Sequence, residues 1–214
     1  MHLKLDFPRC KDTYVPHNFS TVNKCNDKTM IYTFDQMVET LANCSVRVVL
    51  ITAPPGMGKS RASEEIHTQL VLTGYFVIYV KVSQIISFLT NCEENPSVRD
   101  FLEECNGDNK IQHCPEENKM MVVLDGFDEV CPNFRSNVLA LIKELLVKGF
   151  KVLITSRPQE KDQIIKGLQE DAETIIIEIV PFNFDQKVFM LQTRLNLEPE
   201  RLAHTFIYIF CHFV

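Results

Sequence analysis

Ala53-Pro54-Pro55-Gly56-Met57-Gly58-Lys59-Ser60 is the stretch whose reading decides the fold. A nearly all-apolar run, Val46-Arg47-Val48-Val49-Leu50-Ile51-Thr52, leads into it. Residues 61–73 follow, with Ala62, Ile66, Leu70 and Thr73 at helical spacing before Gly74. A strand, a glycine-bearing loop ending in Gly-Lys-Ser and a helix form the plan of a phosphate-binding loop. The chemistry requires those residue types. Gly56 and Gly58 let the backbone curl so that several N–H groups point at phosphate oxygens. The helix starting near Lys59 adds the positive end of its dipole. Lys59 supplies a mobile cation for β- and γ-phosphates, and Ser60 a hydroxyl for Mg²⁺. Residues 53–60 and the adjoining Arg61 are the expected nucleotide-binding stretch. Ala53 stands where such loops usually have their first glycine, and as the smallest replacement it lets the loop form. The bland alternative is a Gly/Pro-rich turn with a chance Lys-Ser, and the flanking strand and helix decide against it.

Outward from the loop, strands and helices alternate. The pattern predicts five strands, at 46–52, 76–82, 120–124, 151–155 and 174–180. It predicts helices over 61–73, 133–147, 159–168 and 185–195, shorter helical pieces at 83–89 and 98–105, and another helix beginning at 198. Ahead of the first strand, residues 33–44 place Phe34, Met37, Val38 and Leu41 on one helical face, with Thr33 as cap. Five strands joined by helices through short loops call for an α/β P-loop fold, a doubly wound parallel sheet flanked by helices. The expected organisation is a lead-in and short helix at 1–45, the P-loop domain at 46–195, and the start of a helical lid at 196–214.

Met121-Val122-Val123-Leu124-Asp125 is an apolar strand that delivers a carboxylate, the form of a Walker B element. Asp125 would hold Mg²⁺, directly or through water, opposite Ser60. Gly126 follows, and the further acids Asp128 and Glu129 come three and four residues on. A sharp turn at Gly126 returns one of those carboxylates toward the γ-phosphate, where either can orient an attacking water. Arg157 ends the fourth strand, and its planar fork suits phosphate oxygens. Ligands bind at the carboxyl ends of such strands. The loop at 53–60, the acids at 125–129 and Arg157 all fall there, which argues for one site.

The 214 residues carry 22 Lys and Arg against 28 Asp and Glu, a net charge of −6. That balance gives no electrostatic case for nucleic acid or an anionic membrane. No apolar run reaches a membrane span, and the start is unlike a secretory signal, so the chain reads as intracellular. The 8 cysteines show no C-x-x-C pair and read as reduced thiols. Cys105, His113 and Cys114 do not have the spacing of a standard zinc site.

Asp125-Gly126-Phe127-Asp128-Glu129, with a small residue after the magnesium acid and two further acids, resembles the NACHT group of STAND ATPases. Residues 53–60, Thr155-Ser156-Arg157-Pro158, Tyr14-Val15-Pro16 and Pro181-Phe182 match the same pattern, so the resemblance covers roughly residues 14–195. It implies a switch controlled by ATP and ADP, with slow hydrolysis and self-association in a full-length form. It also implies a cytoplasmic role in innate-immune or stress signalling. By analogy, Tyr14, Val15 and Pro16 lie near the adenine, and Arg157 senses the γ-phosphate. Such proteins continue into a helical lid and a winged helix, so the ending at Phe213-Val214 is expected to fall inside the lid of a truncated member. Two alternatives stand beside this. One is a non-hydrolysing nucleotide-binding interaction module. The other is an AAA+-like ATPase, which would need an acid directly after Asp125, where Gly126 stands.

Overall fold

The computed structural model describes residues 15–22, 29–91, 97–106, 119–169 and 171–195. Its larger compact unit is Asn18–Val180. The smaller unit takes in Met1–His17 and Pro181–Val214.

Among the described residues the sheet has seven strands. These are β1 (Asn18–Val22), β2 (Thr29–Tyr32), β3 (Val48–Thr52), β4 (Phe76–Lys81), β5 (Met120–Asp125), β6 (Lys151–Ser156) and β7 (Thr174–Val180). Their order is β2-β1-β7-β3-β6-β5-β4. The five strands predicted from sequence are β3 to β7, and they run parallel to one another. The sheet is not five-stranded, however. An antiparallel hairpin, β1 and β2, extends it beyond β7. Its source is the stretch expected to be an extended lead-in. The hairpin docks because Phe19 is fully buried and faces Phe34 at a ring distance of 6.3 Å. Thr21 Oγ1 also donates to Ile176 O at 2.9 Å.

β3 is buried at every residue, as a central strand covered on both faces must be. Leu50 lies level with Ile154 on one side and Ile176 on the other. Burying such a side chain contributes roughly 2 kcal/mol. Helix α1 (Phe34–Asn43) starts at a reciprocal cap: Thr33 Oγ1 accepts from Gln36 N, and Gln36 Oε1 accepts from Thr33 N. Helix α2 (Lys59–Leu72) follows β3 and buries Ala62, Ser63, Ile66 and Leu70. Helices α3 (Ile86–Asn91) and α4 (Val98–Asn106) fall between β4 and β5. Helix α5 (Arg135–Val147) follows β5, and helix α6 (Lys161–Leu168) follows β6. Both begin from short 3-10 turns, Pro132–Phe134 and Pro158–Glu160.

This order positions a site. β6 lies between β3 and β5, so the carboxyl ends of all three strands stand side by side. The segments leaving them are the loop at 53–60, the acids from Asp125 onward, and Arg157.

In the smaller unit, helix α7 (Phe184–Leu195) begins with Asn183 and Gln186 exchanging hydrogen bonds of 3.0 and 2.9 Å. Gln186 Nε2 donates to Pro16 O at 2.9 Å, and His17 stacks on Phe182 at 4.6 Å. The helix expected from 198 lies outside the described residues.

Candidate functional site

The loop after β3 is shaped by two glycines in the left-handed region, Gly56 at φ 77° and Gly58 at φ 82°. Gly58 O then accepts from Ala62 N at 2.9 Å, so the helix begins directly beneath the loop. The floor is pinned to the sheet, because Ala53 N donates to Ser156 O at 3.3 Å. Lys59 is half-buried, and its Nζ donates to Ala53 O at 3.0 Å and Pro54 O at 3.5 Å. The ammonium therefore curls over the loop's own carbonyls. Ser60 is exposed, and Arg61 pairs with Glu64 at 3.5 Å.

Asp125 ends β5 at 4% exposure, and donors from three elements hold it. Thr155 Oγ1 on β6 donates to Oδ1 at 2.5 Å, and Ser63 Oγ on α2 reaches the same oxygen at 3.4 Å. Tyr79 OH on β4 donates to Oδ2 at 3.0 Å. Burial pushes the Tyr79 phenol well above its ordinary value; the Ser63 hydrogen bond opposes this, and the charge of Asp125 adds a smaller upward push. Tyr79 is thus a lasting proton donor to the carboxylate. Thr155 has a second role, as Gly126 N donates to its Oγ1 at 2.9 Å.

Gly126 turns the chain at φ 87°, and Phe127–Glu129 follow as a 3-10 turn. Phe127 is fully buried as its anchor. Asp128 Oδ2 sits 2.7 Å from Arg157 Nε, and the two side chains are 5% and 48% exposed respectively. The other oxygen, Asp128 Oδ1, is buried with no protein hydrogen-bond partner. Glu129 is exposed and folds back over Gly126.

A cavity of about 340 Å³ joins these parts. Pro55, Gly56, Gly58, Lys59, Ser60 and Arg61 line one side, and Asp125, Gly126, Asp128, Glu129, Thr155 and Arg157 the other. Ala53 is buried beneath it, Pro54 is exposed, and Met57 N bonds to Pro54 O at 3.4 Å. Val15 and Pro16 belong to the smaller unit, and Tyr14 lies outside the described residues, as do His113 and Cys114. Among the described residues, no group of three or more His, Cys, Asp or Glu is arranged to hold a metal by itself. The residues lining the cavity whose oxygens suit a hard cation include Ser60, Asp125, Asp128 and Glu129.

Sequence reasoning missed Tyr79, Ser63 and the double role of Thr155. A faint signal existed for Ser63, which lies one helical turn beyond Ser60. None existed for Tyr79, whose approach depends on the β4–β5 register that sets it beside Val123, two residues before Asp125.

The sequence profile of the NACHT domain matches residues 47–197, more than half of the chain. The chain belongs to the NACHT family. Family and fold together make it a nucleotide-binding NTPase module of the P-loop class. No curated protein matches this NACHT chain at a significant level. Solved structures do. A DNA replication initiation factor matches with TM-score 0.54 and 13% identity, over 83% of the NACHT chain and 59% of its own. AMPPCP-bound DnaA from Aquifex aeolicus matches with TM-score 0.51 and 11% identity, over 80% and 53%. DnaA bound to AMPPCP and single-stranded DNA matches with TM-score 0.51 and 15% identity, over 79% and 54%. At these identities the likeness is one of fold. The NACHT chain spans just over half the length of each. No described helix is long and apolar enough to cross a membrane.

Proposed function

We propose that the NACHT site binds an adenine nucleotide with Mg²⁺ and acts as a switch that reads the γ-phosphate, with slow hydrolysis resetting it. The observation that carries this is that one cavity, of about 340 Å³, is lined by Lys59, Ser60, the acids 125, 128 and 129, and Arg157 together. Those are a phosphate cradle, a metal face and a γ-phosphate reader on three adjacent strand ends. The AMPPCP held by the DnaA structures supports the nucleotide class, and the missing acid after Asp125 separates this site from an AAA+-like one.

The residues present fit the metal. Ser60 Oγ and Asp125 would hold it, since both line the same cavity and offer the hard oxygen donors Mg²⁺ prefers. When bound, Mg²⁺ supplies charge neutralisation between the phosphates. The chain's own groups do the rest. Lys59 leaves the carbonyls of Ala53 and Pro54 for phosphate oxygens, a better acceptor for a cation. Arg157, half exposed, swings its fork to the γ-phosphate. Glu129, exposed and folded over Gly126, orients the attacking water, while Asp128 sets the resting position of Arg157.

A second reading, a non-hydrolysing nucleotide-binding module, draws on the burial of Asp128 against Arg157, which removes one acid from water's reach. Phosphate release separates the two. The switch reading expects slow release that Glu129→Gln lowers about tenfold or more with nucleotide affinity unchanged. No release over hours from protein saturated with ATP and Mg²⁺ supports the second. On resemblance to the family, the switch serves cytoplasmic innate-immune or stress signalling and acts by self-association.

A further inference from the structure

We infer that Arg135 is a positioning residue that yokes the acid turn to the Arg157 segment, so that the two cannot move independently. This rests on the nucleotide-site reading above and names a part that the reading lacks.

Arg135 is the first residue of α5, and its side chain is 16% exposed. Its guanidinium reaches both segments at once. Nε donates to Val130 O at 3.3 Å, and the guanidinium carbon lies 5.7 Å from the centre of the Phe127 ring. Phe127 and Val130 bracket Asp128 and Glu129, so these contacts fix the acid turn on both sides. On its other edge Nη2 donates to Glu160 Oε1 at 3.4 Å, and Nη1 to Gln163 Oε1 at 3.1 Å. Glu160 N in turn donates to Arg157 O at 3.3 Å. One planar group therefore ties together the residues that carry Asp128 and Arg157, using the fork geometry that lysine lacks.

Position and chemistry agree with a yoke rather than a surface ion pair. Glu160 is also mostly buried, at 15% exposure. The α5–α6 packing behind the yoke is tight, since a Cβ on Gly167 would meet Leu139 Cδ1 at 2.7 Å. The yoke holds the frames, and the Asp128–Arg157 pair at 2.7 Å closes between them. A γ-phosphate that draws Arg157 away must then be felt in the acid turn.

Amide exchange and nucleotide affinity of the full chain, wild type against Arg135→Gln and Arg135→Lys, test this. In nucleotide-free Arg135→Gln, exchange at 127–130 and at 157–160 rises together, by about fivefold or more, while strand 120–124 stays within about twofold. Arg135→Lys keeps the charge and restores only part of the protection. AMPPCP affinity falls about fivefold in Arg135→Gln, while ADP affinity stays within about twofold. A rise in one segment alone, or equal loss of both nucleotides, overturns the yoke. If wild type binds neither nucleotide, the nucleotide reading fails, and the exchange result alone still decides whether Arg135 couples the segments.

Discussion

Arg157 Nε lies 2.7 Å from Asp128 Oδ2, so the segment leaving β6 is paired with the acid turn at the cavity. Such a charge-assisted contact is worth about 1.5–3 kcal/mol when desolvated, and less here because Arg157 is half exposed. In the proposed switch, the γ-phosphate competes for the same guanidinium. Arg157→Ala is expected to leave ADP affinity nearly unchanged and to lower AMPPCP affinity about tenfold. Titration with fluorescent analogues measures both. Equal weakening of the two would remove Arg157 from γ-phosphate reading.

Thr155 holds two buried groups with one hydroxyl, accepting from Gly126 N and donating to Asp125 Oδ1. Thr155→Val keeps the shape and strands both. The expected loss is about 2 kcal/mol, as for unsatisfied buried polar groups, read from urea unfolding. A change under about 0.5 kcal/mol would show that the network around Asp125 is not structural.

Gly126 is set by conformation and by space. At φ 87° a Cβ costs about 1–2 kcal/mol, and it would meet Glu129 Oε2 at 3.2 Å. Gly126→Ala should therefore lose stability and push Glu129 out of place. Phosphate release should fall by more than nucleotide affinity does. Unaltered release with lowered stability would assign the water-orienting role elsewhere.

Cys131 is exposed, whereas burial, helped by the nearby Glu104 charge, pushes the Cys105 thiol up to about 12. The thiolate is the nucleophile, so at pH 8 Cys131 should react with iodoacetamide about a hundredfold faster or more. The folded thiol keeps its proton above the ordinary 9.0, so its contribution to stability is present below that pH and is lost as pH climbs toward 12. Mass spectrometry of the two peptides reads the rates, and equal labelling in the folded protein would contradict the burial of Cys105.

The parts of the site that were legible in the sequence are those encoded locally. Gly56, Gly58 and Lys59 act through neighbouring backbone, and Asp125 and Arg157 each sit at the end of an apolar run. The helix at 34–43 was legible because Phe34, Met37, Val38 and Leu41 repeat at its period. What stayed hidden depends on contacts distant in sequence. Asn18–Val22 is short and polar, and becomes a strand because Phe19 and Thr21 find the sheet edge. Tyr79 meets Asp125 only once β4 and β5 pair. Arg135 looked like any charged residue at a helix start until four separate contacts converged on it.

The proposed switch depends on the loop at 53–60 binding nucleotide phosphates through Lys59. Its most direct test is calorimetric titration of ADP and AMPPCP, with Mg²⁺, into wild type and Lys59→Ala. Lys59 leaves only loop carbonyls when it moves, so its removal should cost little stability and lower both affinities about a hundredfold, near 2.7 kcal/mol. Unchanged affinity in a folded Lys59→Ala protein would contradict the account.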